Sequence, residues 1–166
     1  MPELTFTSGD VAAASQVLVA SAEALAARGE PLWPPTSLTP ERLARHYPPG
    51  GWRVAWPVST PPGHEAVGCY VLLDRDPLFW PDDPPGEALY LHKLAVRPAA
   101  QGQGLAGALL GDAAAQARAA GRGWLRLDTA SDRPKLRALY IGAGFVAVDE
   151  VQVGAYHVVR FGLRLD

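Results

Sequence analysis

The chain has 166 residues, 48% of them hydrophobic, with 15 basic and 17 acidic side chains and a formal net charge of -2. That length is a natural size for one domain with a substantial core, and that charge balance excludes a dedicated nucleic-acid or polybasic membrane binder. A single cysteine, Cys69, excludes an intrachain disulfide framework and any multi-thiolate metal site. The histidines His46, His64, His92 and His157 are scattered without HxxxH spacing, so no metal is expected. The opening MPELTFTSGD has neither a basic start nor an apolar run, and no stretch reaches bilayer length. The expectation is therefore no signal peptide, no membrane partner and a cytoplasmic location. High Ala, Arg and Pro with little Lys points to a GC-rich bacterial genome.

In chain order, residues 2–7 read as a short strand. Asp10 to Arg28 is Ala-rich, carries Val11, Leu18, Ala22 and Leu25 at helical spacing, and is closed by Gly29. The three prolines of EPLWPPTSL (30–38) cannot continue a helix. Thr39-Pro40-Glu41 restarts one with a cap and a first-turn proline, ending near Tyr47. Trp52–Val58 and Ala66–Leu73 read as strands joined by the turn-rich STPPGHE. A Pro- and Asp-rich loop over 74–86 leads to a strand at Ala88–Val96. Then come a helix over Gly102–Ala120, a strand at Trp124–Asp128, a helix over Pro134–Ile141, and strands at Phe145–Val148 and Tyr156–Leu165. Strands first and alternating strands and helices afterwards predict an α/β (α+β) fold. One domain over 1–166 would hold a mixed sheet of about six to seven strands flanked by about four helices.

The chemistry concentrates at Leu89–Leu110, LYLHKLAVRPAAQGQGLAGALL. An apolar strand is broken by Arg97-Pro98, and a glycine-rich stretch then opens a helix. A helix start offers unpaired N–H groups and the positive end of the dipole. Glycines let the backbone curl around an anion, so the segment is a candidate phosphate cradle. Gly102 to Gly107 is literally GxGxxG, with Asp128 ending the next strand, as in a dinucleotide fingerprint. Against that ligand, Arg97–Gln101 separate the first glycine from the strand tip, and too little chain follows to complete a doubly wound sheet.

Leu94–Leu110 resembles the signature segment of the GNAT superfamily of N-acetyltransferases, (Q/R)xxGx(G/A), with Gln101, Gly104 and Ala106 at its defined positions. A second segment, Leu125–Val148, resembles that family's next signature through Tyr140 and Gly144-Phe145, while Arg133 stands where many members have Asn. The resemblance covers about the last 80 residues and matches the rest in element order only. It implies acetyl-CoA as donor, with the pyrophosphate on Gln101, Gly102, Gln103, Gly104, Leu105, Ala106 and Gly107. Splayed strands would free backbone at Leu94, Ala95 and Val96 for pantetheine and thioester, with Arg133 and Tyr140 also at the cofactor. A donor aimed at the thioester oxygen would stabilise the oxyanion, and Tyr140 would protonate the departing thiolate. Arg97, Arg133, Lys135 and Arg137 are the cations available to screen phosphates.

An attacking amine must lose a proton. Strand alternation places Tyr90, His92, Leu94 and Val96 on one face and Leu91, Lys93 and Ala95 on the other. His92 is the first choice of base and Glu87 the second. The loop carrying Asp74, Asp76, Asp82, Asp83 and Glu87 suits a cationic amine, with Trp33, Tyr47 and Trp52 as an apolar wall. Each role has a plain structural alternative. The glycine loop is then a tight turn, Tyr140 a core tyrosine, His92 a packed strand residue, and the acidic loop a solvated hairpin. Trp33 becomes a packing anchor and Cys69 a small buried hydrophobe.

The leading expectation is an enzyme acetylating a primary amine of a small molecule, peptide or protein by direct attack in a ternary complex, without a metal. A non-catalytic acyl-CoA-binding module and a dinucleotide oxidoreductase are the alternatives. Tyr156–Leu165 pairs either within the sheet or across a homodimer.

Overall fold

A computed structural model describes residues 3–59 and 65–166. Among them are seven strands: β1 (Leu4–Ser8), β2 (Trp52–Pro57), β3 (Gly68–Leu73), β4 (Ala88–Val96), β5 (Trp124–Ala130), β6 (Val146–Val153) and β7 (Tyr156–Arg164). The four α-helices are α1 (Val11–Ala27), α2 (Pro40–His46), α3 (Leu105–Ala119) and α4 (Pro134–Gly142). The strands hydrogen-bond in the order β1-β2-β3-β4-β5-β7-β6. β4 and β5 run parallel, while β1–β2, β2–β3, β5–β7 and β6–β7 are antiparallel. This is the expected mixed α/β sheet. Most of the connection expected at 59–65, His64 included, lies outside the described residues, as does residue 2 of the first strand.

By its contacts the chain divides into two compact units, Met1–Val71 with Lys93–Leu109, and Leu72–His92 with Leu110–Asp166. In the first, α1 starts where the Asp10 carboxylate accepts the Ala13 N–H at 3.0 Å and stops before Gly29, whose φ of 75° needs no Cβ. Its buried stripe of Ala13, Ala14, Val17, Leu18 and Ala22 packs with Leu38, Leu43, Trp52, Val54, Trp56, Cys69 and Val71. Each fully buried Leu or Val there contributes about 1.5–3 kcal/mol. Ser15 is buried in the same helix, and its hydroxyl donates to the Leu38 carbonyl at 2.6 Å, tying the Pro-rich segment down. Thr39 caps α2 by accepting the Arg42 N–H at 3.3 Å.

In the second unit β5 alternates strictly, with Leu125, Leu127 and Thr129 buried. It pairs with β7 from Trp124–Arg164 to Ala130–Val158. β7 pairs on its other side with β6, so the C-terminal strand is satisfied within the sheet. β6 is the edge strand, with a bulge between Ala147 and Asp149, and it runs to Val153 rather than stopping at Val148.

Further differences from expectation lie at the starts of α3 and β3 and inside β4. α3 begins at Leu105, because Gly102 and Gly104 take φ of 82° and 75° and lie outside a right-handed helix. β3 begins at Gly68 rather than Ala66. In β4, Lys93 has φ of 55°, alone among the described non-glycine residues in the left-handed region. That conformation interrupts regular strand geometry at this point. Ala95 is buried, whereas Leu94 and Val96 are half-buried.

Candidate functional site

In the first unit the end of β4 feeds a turn and then the glycine loop. The Arg97 N–H donates to the Val67 carbonyl at 2.8 Å, and its Nε to the Ala66 carbonyl at 2.7 Å. The guanidinium is therefore already engaged. A 3₁₀ turn at Pro98–Ala100 reverses the chain, and Gln101 Nε2 reaches back to the Val96 carbonyl at 3.4 Å. Gly102 and Gly104 follow in left-handed conformation, and α3 starts immediately. Helix geometry leaves the N–H groups of this first turn without intrahelical acceptors. Gln101, Gly102, Gln103, Gly104 and Gly107 are exposed. A Cβ at Gly68 would lie 2.7 Å from Leu109 Cδ1 and 3.1 Å from the Ala95 carbonyl oxygen. That glycine thus lets α3 and the end of β4 seat closely on β3.

The same geometry argues against a dinucleotide. In that fingerprint the third glycine permits close helix–strand packing, yet a Cβ at Gly107 would meet nothing within 4 Å. The glycine requirement falls instead on the two left-handed positions, Gly102 and Gly104.

In the second unit the β4–β5 ladder runs from Ala88–Trp124 to Tyr90–Arg126 and no further, although β5 stays paired with β7 to Ala130. His92 lies just past that parting. Its Nε2 is 2.9 Å from Asp76 Oδ2, with the Asp76 side chain only 6% exposed. The other Asp76 oxygen accepts the Phe79 N–H at 3.3 Å, and the Trp80 N–H donates to the Asp76 carbonyl at 2.8 Å. A buried carboxylate needs such partners. One ring nitrogen of His92 and one oxygen each of Asp76 and Asp128 lie within 4.8 Å of one another. Tyr140, buried on α4 against Phe145 and Phe161 with ring centroids at 5.9 and 5.6 Å, senses the same cluster. Burial, and then the charge of Asp128, push its phenol above the ordinary tyrosine range.

The acidic loop is not a solvated hairpin. Besides Asp76, Asp83 is taken inward, accepting the Tyr90 hydroxyl at 2.5 Å and Arg126 Nη1 at 2.9 Å. Glu87, the second candidate base, is 2.7 Å from the same Arg126 nitrogen and is committed to that ion pair. Arg126 also lies over Trp80 and Trp124, at 5.4 and 5.0 Å from the ring centroids. This network braces the loop that carries Asp76.

Other candidates suggested by the sequence fall out of the site. Trp52 is fully buried in the first unit's core, edge-on to Tyr47 at 5.6 Å, so it is no acceptor wall. Trp33 packs on that core with Lys93 Nζ 4.7 Å from its ring centroid. Arg137 Nη1 donates to the Ser131 carbonyl at 3.1 Å. Arg133 is the N-cap of α4 without a side-chain capping bond, and Lys135 is exposed. Cys69 is buried, and burial pushes its thiol pKa up, as befits an inert core residue. The role of Asp76 toward His92 escapes sequence reasoning. Sixteen residues separate them, and the DRDPLFW turn carries no mark of which carboxylate it buries.

A sequence profile described as the acetyltransferase (GNAT) family matches residues 21–145. No curated protein matches the sequence. Among solved structures the chain resembles yncA from Salmonella typhimurium, solved with its cofactor acetyl-CoA, at 21% identity and a TM-score of 0.68, covering 99% of this chain and 94% of that one. A GNAT-family acetyltransferase from Listeria monocytogenes aligns at 16% identity and a TM-score of 0.75, over 99% and 95% of the two chains. A chain of the NatC complex bound to Gag peptide and CoA aligns at 19% identity and a TM-score of 0.68, over 99% of each. At these identities the likeness is one of fold.

Proposed function

The chain belongs to the GNAT acetyltransferase family, and from that premise we propose that it carries the acetyl group of acetyl-CoA to a primary amine, with His92 as the base. The observation that carries the proposal is the glycine loop. Two left-handed glycines directly precede the first turn of α3, so successive N–H groups are offered to a pyrophosphate. Gln101 to Gly107 would hold the phosphates, while the backbone of Leu94, Ala95 and Val96 would line the pantetheine and thioester. Arg133 and Lys135, at the start of α4, are assigned to outlying phosphate charge. The acetyl-CoA of yncA and the CoA of the NatC chain support the choice of donor.

The proposed step balances without a metal. The amine nitrogen attacks the thioester carbon, its N–H proton passes to His92, the C–S bond breaks, and CoA leaves with the electron pair as a thiolate. Tyr140 is assigned to that sulfur. Because its phenol is held above the ordinary range, while a thiol ionises near about 8.5, Tyr140 acts as a hydrogen-bond donor to the developing thiolate. Full proton transfer from it would run uphill. The acceptor arrives as a cation, which suits the carboxylates of Asp76 and Asp128; it gives one proton to solvent before it attacks as the neutral amine, and the second proton is the one His92 takes. The single-domain organisation and a cytoplasmic, bacterial setting belong to the same proposal, the latter supported by composition.

The test is thiol release from acetyl-CoA with spermidine, phenethylamine, a free amino acid and a short peptide as acceptors. Amine-dependent release is expected, reduced roughly 10²–10⁴-fold in His92→Ala and unchanged by EDTA. Binding of acetyl-CoA without release for any amine would leave a binding module. Loss with EDTA and recovery with zinc would overturn the metal-free chemistry.

A further inference from the structure

The acidic loop after β3 is largely neutralised from within the protein. Arg122 Nη2 holds Asp74 at 2.9 Å, and Arg126 Nη1 holds Asp83 at 2.9 Å and Glu87 at 2.7 Å. Asp76 is buried, with one oxygen on the Phe79 N–H and the other facing His92. Of the loop's acids Asp82 stands outside these pairs, and its charge acts on Arg160. An amine with several positive charges therefore meets few open carboxylates here.

What the loop presents instead is apolar. Leu78 is 56% exposed, and Tyr156, at the start of β7, is 61% exposed. The rings of Phe79 and Tyr156 meet edge to face with centroids 6.0 Å apart. Phe79 is bonded to Asp76 through its N–H at 3.3 Å, and the other Asp76 oxygen lies 2.9 Å from His92 Nε2. The aromatic pair thus adjoins the cluster to which acetyl transfer is assigned, just past the parting of β4 and β5. It is also braced. Arg160 binds Asp149 through two nitrogens at 2.7 and 2.6 Å, donates from Nη1 to the Phe79 carbonyl at 3.0 Å, and lies 4.6 Å from the Trp80 ring centroid. Phe79 packs on the buried cluster that contains Trp80. A contact surface held in place before the ligand arrives loses less freedom on binding.

We propose that Phe79 and Tyr156 form the acceptor subsite, which selects a small monoamine carrying an aromatic group a few bonds from its nitrogen. The inference rests on the reading of the chain as an amine acetyltransferase and adds the class of amine. It does not depend on which group takes the amine proton. A free amine suits this surface better than a peptide end. The Phe79 N–H is committed to Asp76 and the Phe79 carbonyl to Arg160, while the Trp80 N–H donates to the Asp76 carbonyl at 2.8 Å. This stretch therefore offers no open main-chain edge of the kind that pairs with an extended peptide.

The experiment measures kcat and KM for phenethylamine, spermidine and the peptide Phe-Gly-Gly in the wild type, Tyr156→Ala and Phe79→Leu. The thermal shift by acetyl-CoA checks that each variant folds and binds its donor. The wild type is expected to prefer phenethylamine to spermidine by roughly tenfold or more in kcat/KM. That preference should fall roughly tenfold in each variant, through the KM for the amine, because a packing contact is made equally in the ground and transition states. Phe79→Leu keeps apolar bulk against the Trp80 cluster, so it separates loss of the ring from loss of packing. Preference for spermidine overturns the subsite, as does a preference for phenethylamine that neither variant changes. Phe-Gly-Gly acetylated faster than phenethylamine overturns the free amine as occupant. Donor binding with no transfer to any of the three sinks the transferase reading, and the subsite with it.

Discussion

Tyr140 is a core residue that the proposed mechanism also places at the leaving sulfur. Its ring is packed between Phe145 and Phe161, and its phenol is held neutral by burial and by Asp128. Tyr140→Phe keeps the packing and removes only the donor. It is expected to leave Tm nearly unchanged and to lower kcat and kcat/KM together by roughly 10²–10³-fold, the loss typical of one donor that acts in the transition state. A normal rate in that variant would make Tyr140 a core residue and nothing more. At this scale residue type alone singles out His92 and Tyr140 as candidates. It is not legible where a partner is distant. Asp76 and Asp83 look like any other acids of a polar loop. What buries them is their pairing with His92, and with Tyr90 and Arg126, and composition carries no trace of those pairs.

At the scale of elements, α1 and α2 are readable because their caps are written in adjacent residues, Asp10 with Gly29 and Thr39 with Pro40. β4 is readable as a strand, but the left-handed conformation of Lys93 within it is not, since no local rule places a lysine there. The parting of β4 from β5 after Tyr90 is likewise a property of pairing. The glycines separate by what surrounds them. Gly68→Ala forces a methyl against Leu109 and the Ala95 carbonyl, and is expected to cost about 1–3 kcal/mol as overpacking. Gly107→Ala adds a methyl in open space within a helix, and is expected to stabilise by about 0.5–1 kcal/mol. Urea melts of the two variants measure both. A destabilised Gly107→Ala would restore the close packing of a dinucleotide fold and count against the coenzyme A cradle.

At the scale of the molecule, folding raises the pKa of the Cys69 thiol and of the Tyr90 and Tyr140 phenols. In each, burial is the largest cause. A group whose proton is held more tightly in the folded state adds stability at low pH, and that stability drains away once pH exceeds its unfolded value. For a thiol and two phenols the window opens at about pH 8.5 and widens above about pH 10. The unfolding free energy is therefore expected to decline steadily from about pH 8 to about pH 11. Cys69→Ala should remove the earliest part of that decline, and a flat profile would contradict the burial of all three groups. The mixed sheet and the helix count follow from element order, and the family resemblance from two motifs in sequence. The central claim, that the loop Gln101–Gly107 is a cradle for acetyl-CoA, is tested most directly by the thermal shift of the purified protein with acetyl-CoA and with NAD. Acetyl-CoA at a hundredfold excess over its Kd should stabilise the fold by about 2.7 kcal/mol and raise Tm by several degrees, with NAD inert. Stabilisation by NAD and none by acetyl-CoA would contradict the account.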